Sequence, residues 1–149
     1  MVCCRRRAVV LRGRRALVTD QNLISPAGRA RVLVVDDSPT ALYLLRAVFE
    51  SEQYDVVTAT DGIEGLNEVH RRAPDLIVTD SVMPGLDGFA LLRKLREDPA
   101  TRRIPVVMLT SGDPSDPEYQ KNDLQPDVFV AKSAEMQPLL REVRSLLQR

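Results

Sequence analysis

Asp80 ends a short uncharged run, Leu76 to Thr79, and a turn through Met83, Pro84 and Gly85 follows it. Alone, such an aspartate could simply cap the turn. Asp36 and Asp37 follow a second run, Val32 to Val35; Thr110 and Ser111 follow a third, Ile104 to Leu109; Lys132 follows a fourth, Val128 to Ala131. In a parallel sheet all four carboxyl ends lie along one edge, where open sheets place their ligands. Three carboxylates gathered there repel one another and need a cation. Hard oxygen ligands with few protein contacts suit Mg²⁺, which keeps several waters and also reaches a phosphoryl group. A carboxylate can act as a nucleophile toward phosphorus, giving an aspartyl-phosphate. The lysine and the hydroxyl would then meet phosphoryl oxygens by charge and hydrogen bond. The joint placement carries this reading, since each residue alone says little.

The rest of the pattern supplies the elements that must hold these side chains. Ser38 reads as an N-cap and Pro39 as the first residue of a helix with Ala41, Leu42, Leu45, Val48 and Phe49 on its apolar face. Tyr54 to Ala59 reads as another strand, and Asp61-Gly62 opens a helix through Ile63, Leu66 and Val69 that ends before Pro74. His70, near its end, is expected to face solvent beside the helix dipole. Gly88 to Arg96 forms a third helix, closed by Asp98-Pro99. Pro114, Pro117 and Pro126 bracket a weak fourth helix, over about Glu118 to Leu124. A last helix carries Leu139, Leu140, Val143, Leu146 and Leu147, with Pro138 tolerable only in its first turn. Five strands alternating with five helices predict a parallel sheet with helices on both faces and right-handed crossovers.

Composition narrows the function classes. At 149 residues the chain is long enough for one domain with its own core. No apolar run approaches the roughly eighteen residues of a membrane span. The formal net charge of zero hides an asymmetry: residues 1–29 hold seven arginines against one acid, Asp20. That segment has no clear period and ends in Ser25, Pro26 and Gly28, so it reads as a disordered basic extension. A nucleic-acid arm is the weaker reading, because no aromatic residue there can stack on bases. Cys3 and Cys4 are adjacent and both lie in the extension, which excludes a disulfide framework and suits a reducing, cytoplasmic setting.

The segments VLVVDDSPT, DLIVTDSVMPGLDGF, DPATRRIPVVMLTS and VFVAKS, in this order, resemble the motifs of the receiver domain of the two-component response-regulator family. Asp80 lies thirty residues before Thr110 and fifty-two before Lys132, spacings that are similar to the family's. The resemblance covers about residues 30–149 and implies a flavodoxin-like, doubly wound α/β fold with sheet order 2-1-3-4-5. It implies that Asp80 accepts phosphate, and that Mg²⁺ is held by Asp36, Asp37, Asp80 and the backbone carbonyl of Val82. Thr110 and Lys132 would engage the phosphoryl group, and Phe129 would be an aromatic switch residue that turns from exposed to buried. A sensor histidine kinase or phosphotransfer protein would supply the phosphate, and another protein, unknown from the sequence, would read the result.

Two positions depart from the resemblance. Ser133 stands where the family usually has a proline joined through a cis bond. A cis bond before serine costs about 2.5–4 kcal/mol, so a trans loop of another shape is expected. Gln125-Pro126 replaces the usual Gly-Ala ahead of the last strand, which puts the fourth helix in question. The acidic site is untouched by either change. The expectation is therefore a stand-alone receiver and not an enzyme, with the last helix leaving no room for an output domain. The alternatives are a degenerate receiver used as a phosphorylation-independent docking module, a Mg²⁺-dependent phosphatase, and a flavodoxin-like nucleotide or flavin binder. The intact acids, Thr110 and Lys132 speak against the first, and the lack of a cap insertion against the second. Against the third, no Gly-rich phosphate loop follows the first strand.

Overall fold

A computed structural model describes residues 28–121, 123–133 and 135–148, with the backbone of residues 10–11 and 14–15. The last two pairs form a short antiparallel ladder, Val10–Leu11 against Arg14–Arg15. The expected disorder of residues 1–29 otherwise lies outside the described residues. From Arg31 onward strands and helices alternate: β1 Arg31–Val35, α1 Pro39–Ser51, β2 Asp55–Ala59, α2 Gly62–Arg71, β3 Leu76–Asp80, α3 Gly88–Glu97, β4 Val106–Thr110, α4 Pro117–Gln120, β5 Val128–Ala131 and α5 Gln137–Leu147. The strands are all parallel, in the order β2-β1-β3-β4-β5. This is the 2-1-3-4-5 order expected for a doubly wound sheet.

The sheet is buried on both faces because its strands are uncharged through their centres. Side chains of a strand point alternately to opposite faces. Val32 and Val34 of β1 therefore join Leu76, Val78, Val107 and Leu109 in a core beneath α1 and α5. Leu33 and Val35 join Ile77, Val106 and Met108 in a second core beneath α2 and α3. Phe49 is fully buried in the first core, with Tyr54 edge-on at 6.0 Å between ring centroids. Among the described residues no helix is long and apolar enough to cross a membrane.

Helix starts follow local chemistry. Ser38 accepts the Ala41 N–H at 3.3 Å and Pro39 opens α1, as expected. Asp61 and Asp87 cap α2 and α3 through the amides of Glu64 and Ala90. Pro138 falls in the first turn of α5, where its missing N–H costs nothing.

Four expectations need correction. Ile63 is 60% exposed and does not belong to the buried face of α2. At 100° per residue, Ile63 and Val69 lie a third of a turn apart, and the face that docks is Gly62, Gly65 and Val69. The fourth strand begins at Val106, not Ile104, because the Ile104 amide is spent on a turn to the Thr101 carbonyl and Pro105 has none to give. The second strand begins at Asp55, one residue after Tyr54. The fourth helix is a single turn over Pro117–Gln120, and Leu124 leaves it to pack against the second core.

Candidate functional site

Two strand ends bring the acids together, and a third adds Lys132. The chain leaves β1 at Asp36, which is fully buried and held at both oxygens. The Ser38 N–H donates to Asp36 Oδ1 at 2.8 Å, and Lys132 Nζ donates to Asp36 Oδ2 at 2.7 Å. Asp37 is exposed beside it. Asp80 is 8% exposed at the end of β3, in register with Leu109 of β4. Its Oδ2 accepts Lys132 Nζ at 3.0 Å, and its Oδ1 lies 3.5 Å from the Val82 N–H. Oxygens of Asp36, Asp37 and Asp80 all lie within 4.8 Å of one another.

The loops that close the site depend on two glycines. A side chain at Gly88 would overlap the Asp80 carbonyl oxygen, so α3 begins with its backbone pressed against the strand that carries the acid. Gly85 adopts φ +75° in the turn after Pro84, a left-handed conformation that other residues rarely take. Val82, two residues after Asp80, is 73% exposed.

Lys132 emerges from β5 with its N–H on the Thr110 carbonyl at 2.6 Å. Burial opposes its charge and is the largest single influence on it. The hydrogen bonds to Asp36 and Asp80, with their negative charges, outweigh that effect together, and the ammonium titrates above its ordinary value. Lys132 thus serves as an internal counter-ion to two of the three acids. Thr110 is buried at the end of β4, but its hydroxyl donates to the Gly112 carbonyl at 3.1 Å. Asp36, Asp37, Asp80 and Lys132 accordingly form one cluster, with the Thr110 hydroxyl engaged elsewhere.

Phe129 stands apart from the cluster and differs from its expected exposed state. It is half-buried on the α3 side of the sheet, between Phe89 at 6.1 Å and Tyr119 at 5.5 Å. Among the described residues there is no cis peptide bond, in keeping with the trans loop expected around Ser133. His70 is exposed as expected, and its Nε2 lies 3.4 Å from Asp98 Oδ2. Sequence reasoning missed the Ser38 amide on Asp36, the close approach at Gly88 and the partners of Phe129. The Asp87-Gly88 pair after a Pro-Gly turn was the available signal for the second.

A sequence model of the response regulator receiver domain matches residues 32–144. This chain belongs to that family. It is 43% identical over 117 residues to the response regulator PleD of Caulobacter vibrioides, an alignment covering 78% of this chain and 26% of PleD. With the protein PilH of Pseudomonas aeruginosa it shares 36% identity over 119 residues, covering 79% of this chain and 98% of PilH. The chain thus spans about a quarter of the one relative and nearly all of the other. Among solved structures, the response regulator TrrA of Thermotoga maritima in complex with Mg²⁺ and BeF is similar, with a TM-score of 0.68 and 30% identity over 79% of this chain and 99% of TrrA. As a receiver domain, the chain is a component of two-component signalling, a family in which aspartate phosphorylation and Mg²⁺ binding are typical.

The donor set fits such an ion. Three carboxylates within 4.8 Å offer hard oxygens, two of them on buried, fixed side chains and one on exposed Asp37.

Proposed function

We propose that residues 30–149 act as a phosphorylation switch whose acceptor is Asp80, with residues 1–29 a separate basic extension. The observation that supports this reading best is the meeting of Asp36, Asp37 and Asp80 at the carboxyl edge of the sheet, with Lys132 bridging Asp36 and Asp80. Asp36, Asp37, Asp80 and the Val82 carbonyl would hold Mg²⁺. When bound, Mg²⁺ neutralises the carboxylates and draws charge from phosphoryl oxygens.

The protein's own groups do the rest. A carboxylate oxygen of Asp80 attacks the phosphorus of a phosphohistidine on a sensor kinase or phosphotransfer protein. The O–P bond forms, the P–N bond breaks, and the histidine nitrogen keeps the electron pair and takes a proton from solvent. The Lys132 ammonium, already 3.0 Å from Asp80, meets a phosphoryl oxygen of the product. The Thr110 hydroxyl turns from Gly112 to another such oxygen, and Phe129 follows. The new group carries close to two negative charges where the carboxylate carried one, and a downstream protein reads the shift in population that results. On this reading the domain is a cytoplasmic signalling module with no catalytic cycle of its own.

The test is intact mass after treatment with acetyl phosphate, with and without Mg²⁺. One phosphoryl group should appear on the wild type only with the metal, and none on Asp80→Asn. Uptake by Asp80→Asn at the wild-type level would remove the assignment.

A further inference from the structure

Gly112, which accepts the Thr110 hydroxyl, and the Phe129 ring both lie beside one side chain, Tyr119. Its ring lies 5.5 Å from that of Phe129 at 37°, on α4, while Phe89 approaches at 6.1 Å. Its hydroxyl comes so close to Gly112 that a Cβ there would stand 3.3 Å from the tyrosine oxygen. Gly112 is also the residue whose carbonyl accepts the Thr110 hydroxyl. The backbone of Tyr119 is tied down at both groups: its N–H donates to the Asp116 carbonyl at 3.0 Å, and its own carbonyl accepts from Gln125 Nε2 at 3.2 Å.

We propose that Tyr119 is a positioning residue for the switch, a latch that holds Phe129 and the Gly112 turn in the phosphate-free arrangement. The proposal rests on the phosphoacceptor reading of Asp80 for its consequence, though not for the contact itself. A threonine hydroxyl carries one proton, so donating it to a phosphoryl oxygen means leaving the Gly112 carbonyl. The Tyr119 hydroxyl lies beside that same glycine, so a shift of the 110–112 turn toward it displaces the tyrosine ring. Phe129, held between two aromatic neighbours, can change its packing only when one of them yields. Phe89 belongs to the second core through α3, whereas Tyr119 stands on a single exposed turn. Tyr119 is the partner that gives way. Phosphoryl binding therefore works against the latch, and removing the latch should make binding easier.

Two measurements on the full chain test this. The first follows the Phe129 ring resonances without metal or phosphoryl mimic, in wild type, Tyr119→Phe and Tyr119→Ala. Tyr119→Phe keeps the stacked ring and should keep the Phe129 spectrum, whereas Tyr119→Ala should move it. The second titrates beryllofluoride in saturating Mg²⁺. Tyr119→Ala should reach half-saturation at about three- to tenfold lower concentration, and Tyr119→Phe within about twofold of wild type. A latch with only a structural role would lower the melting temperature of Tyr119→Ala without tightening the mimic. An unmoved Phe129 spectrum, or an unchanged or weakened midpoint, overturns the latch. If the wild type takes up no mimic, the phosphoacceptor reading fails instead, and the first measurement alone decides whether Tyr119 holds Phe129.

Discussion

Lys132 and Asp36 are 96 positions apart in the chain, yet Lys132 Nζ lies 2.7 Å from Asp36 Oδ2. The same ammonium reaches Asp80, so it neutralises two of the three carboxylates that would also hold a divalent cation. Lys132→Ala should bind Mg²⁺ about fivefold more tightly, because one competing cation is gone. Without metal it should lose about 1–2 kcal/mol of stability, the lower part of the range for charged hydrogen bonds because the lysine is partly solvated. Added Mg²⁺ should restore that loss. Thermal unfolding with and without the metal reads both effects, and equal Mg²⁺ stabilisation in the two proteins would rule out the competition.

The same contact sets an alkaline limit. The Lys132 ammonium titrates above its ordinary 10.5, through the net result of burial opposing the charge and Asp36 and Asp80 favouring it. A group whose folded value is raised contributes stability in full below its unfolded value, and loses it as pH rises through the folded one. The difference in metal-free stability between wild type and Lys132→Met should therefore hold constant from about neutral pH to about pH 10, then shrink. Urea unfolding at a series of pH values gives this curve. A difference that vanishes at neutral pH would mean that the ion pair contributes nothing.

Asp80→Asn and Asp37→Ala should separate acceptor from ligand. Asn at position 80 keeps the shape and removes one of three neighbouring negative charges, so the metal-free fold should be no less stable than wild type. Asp37 is exposed, and Asp37→Ala should cost less than about 0.5 kcal/mol without metal. Its Mg²⁺ affinity should fall at least about tenfold, and phosphorylation should slow in step at limiting metal. Isothermal titration with Mg²⁺ checks the affinity. Metal-free unfolding of Asp37→Ala would give Asp37 a structural role instead.

Strand ends were legible because a strand buried on both faces leaves an unbroken uncharged run, and the first charged residue after it marks the edge. Asp36, Asp80 and Lys132 were all found in this way. Ser38-Pro39 was legible because the cap and the first-turn proline act within three residues. The misses are of another kind. Ile63 looked apolar and periodic, yet α2 docks through two glycines that allow close approach, and a search for apolar side chains passes over glycine. A Cβ at Gly65 would touch Val35 Cγ2 at 3.0 Å. Ile104 looked like strand until Pro105 was set against the need for amide donors. Tyr119 gave no sign of its role, because its contacts with Phe129 and Gly112 depend on how one short turn lies on the sheet.

Arg96 shows the same limit, and its contacts lead to the last prediction. Its guanidinium donates to the Ile104 carbonyl at 2.8 Å, the Arg102 carbonyl at 3.0 Å and Asp127 Oδ2 at 3.0 Å. Asp127 Oδ2 also accepts the Val106 N–H at 2.8 Å, so one carboxylate oxygen joins α3 to the starts of both β4 and β5. This clamp sits just after Gln125-Pro126, where the chain lacks the glycine that the resemblance led us to expect, and it fixes β5 from the far end of the strand. Both partners are mostly shielded, with side-chain exposures of 20% and 29%. Arg96→Ala should therefore cost about 1.5–3 kcal/mol, the range for hydrogen bonds to charged groups. Asp127→Asn keeps an acceptor for the Val106 amide while removing the charge, and should cost less. The clamp is remote from the acids, so both variants should keep the wild-type Mg²⁺ affinity when folded. Chemical denaturation ranks the variants and Mg²⁺ titration checks the site. An Arg96→Ala protein as stable as wild type would show that the guanidinium adds nothing to the hold on the start of β5.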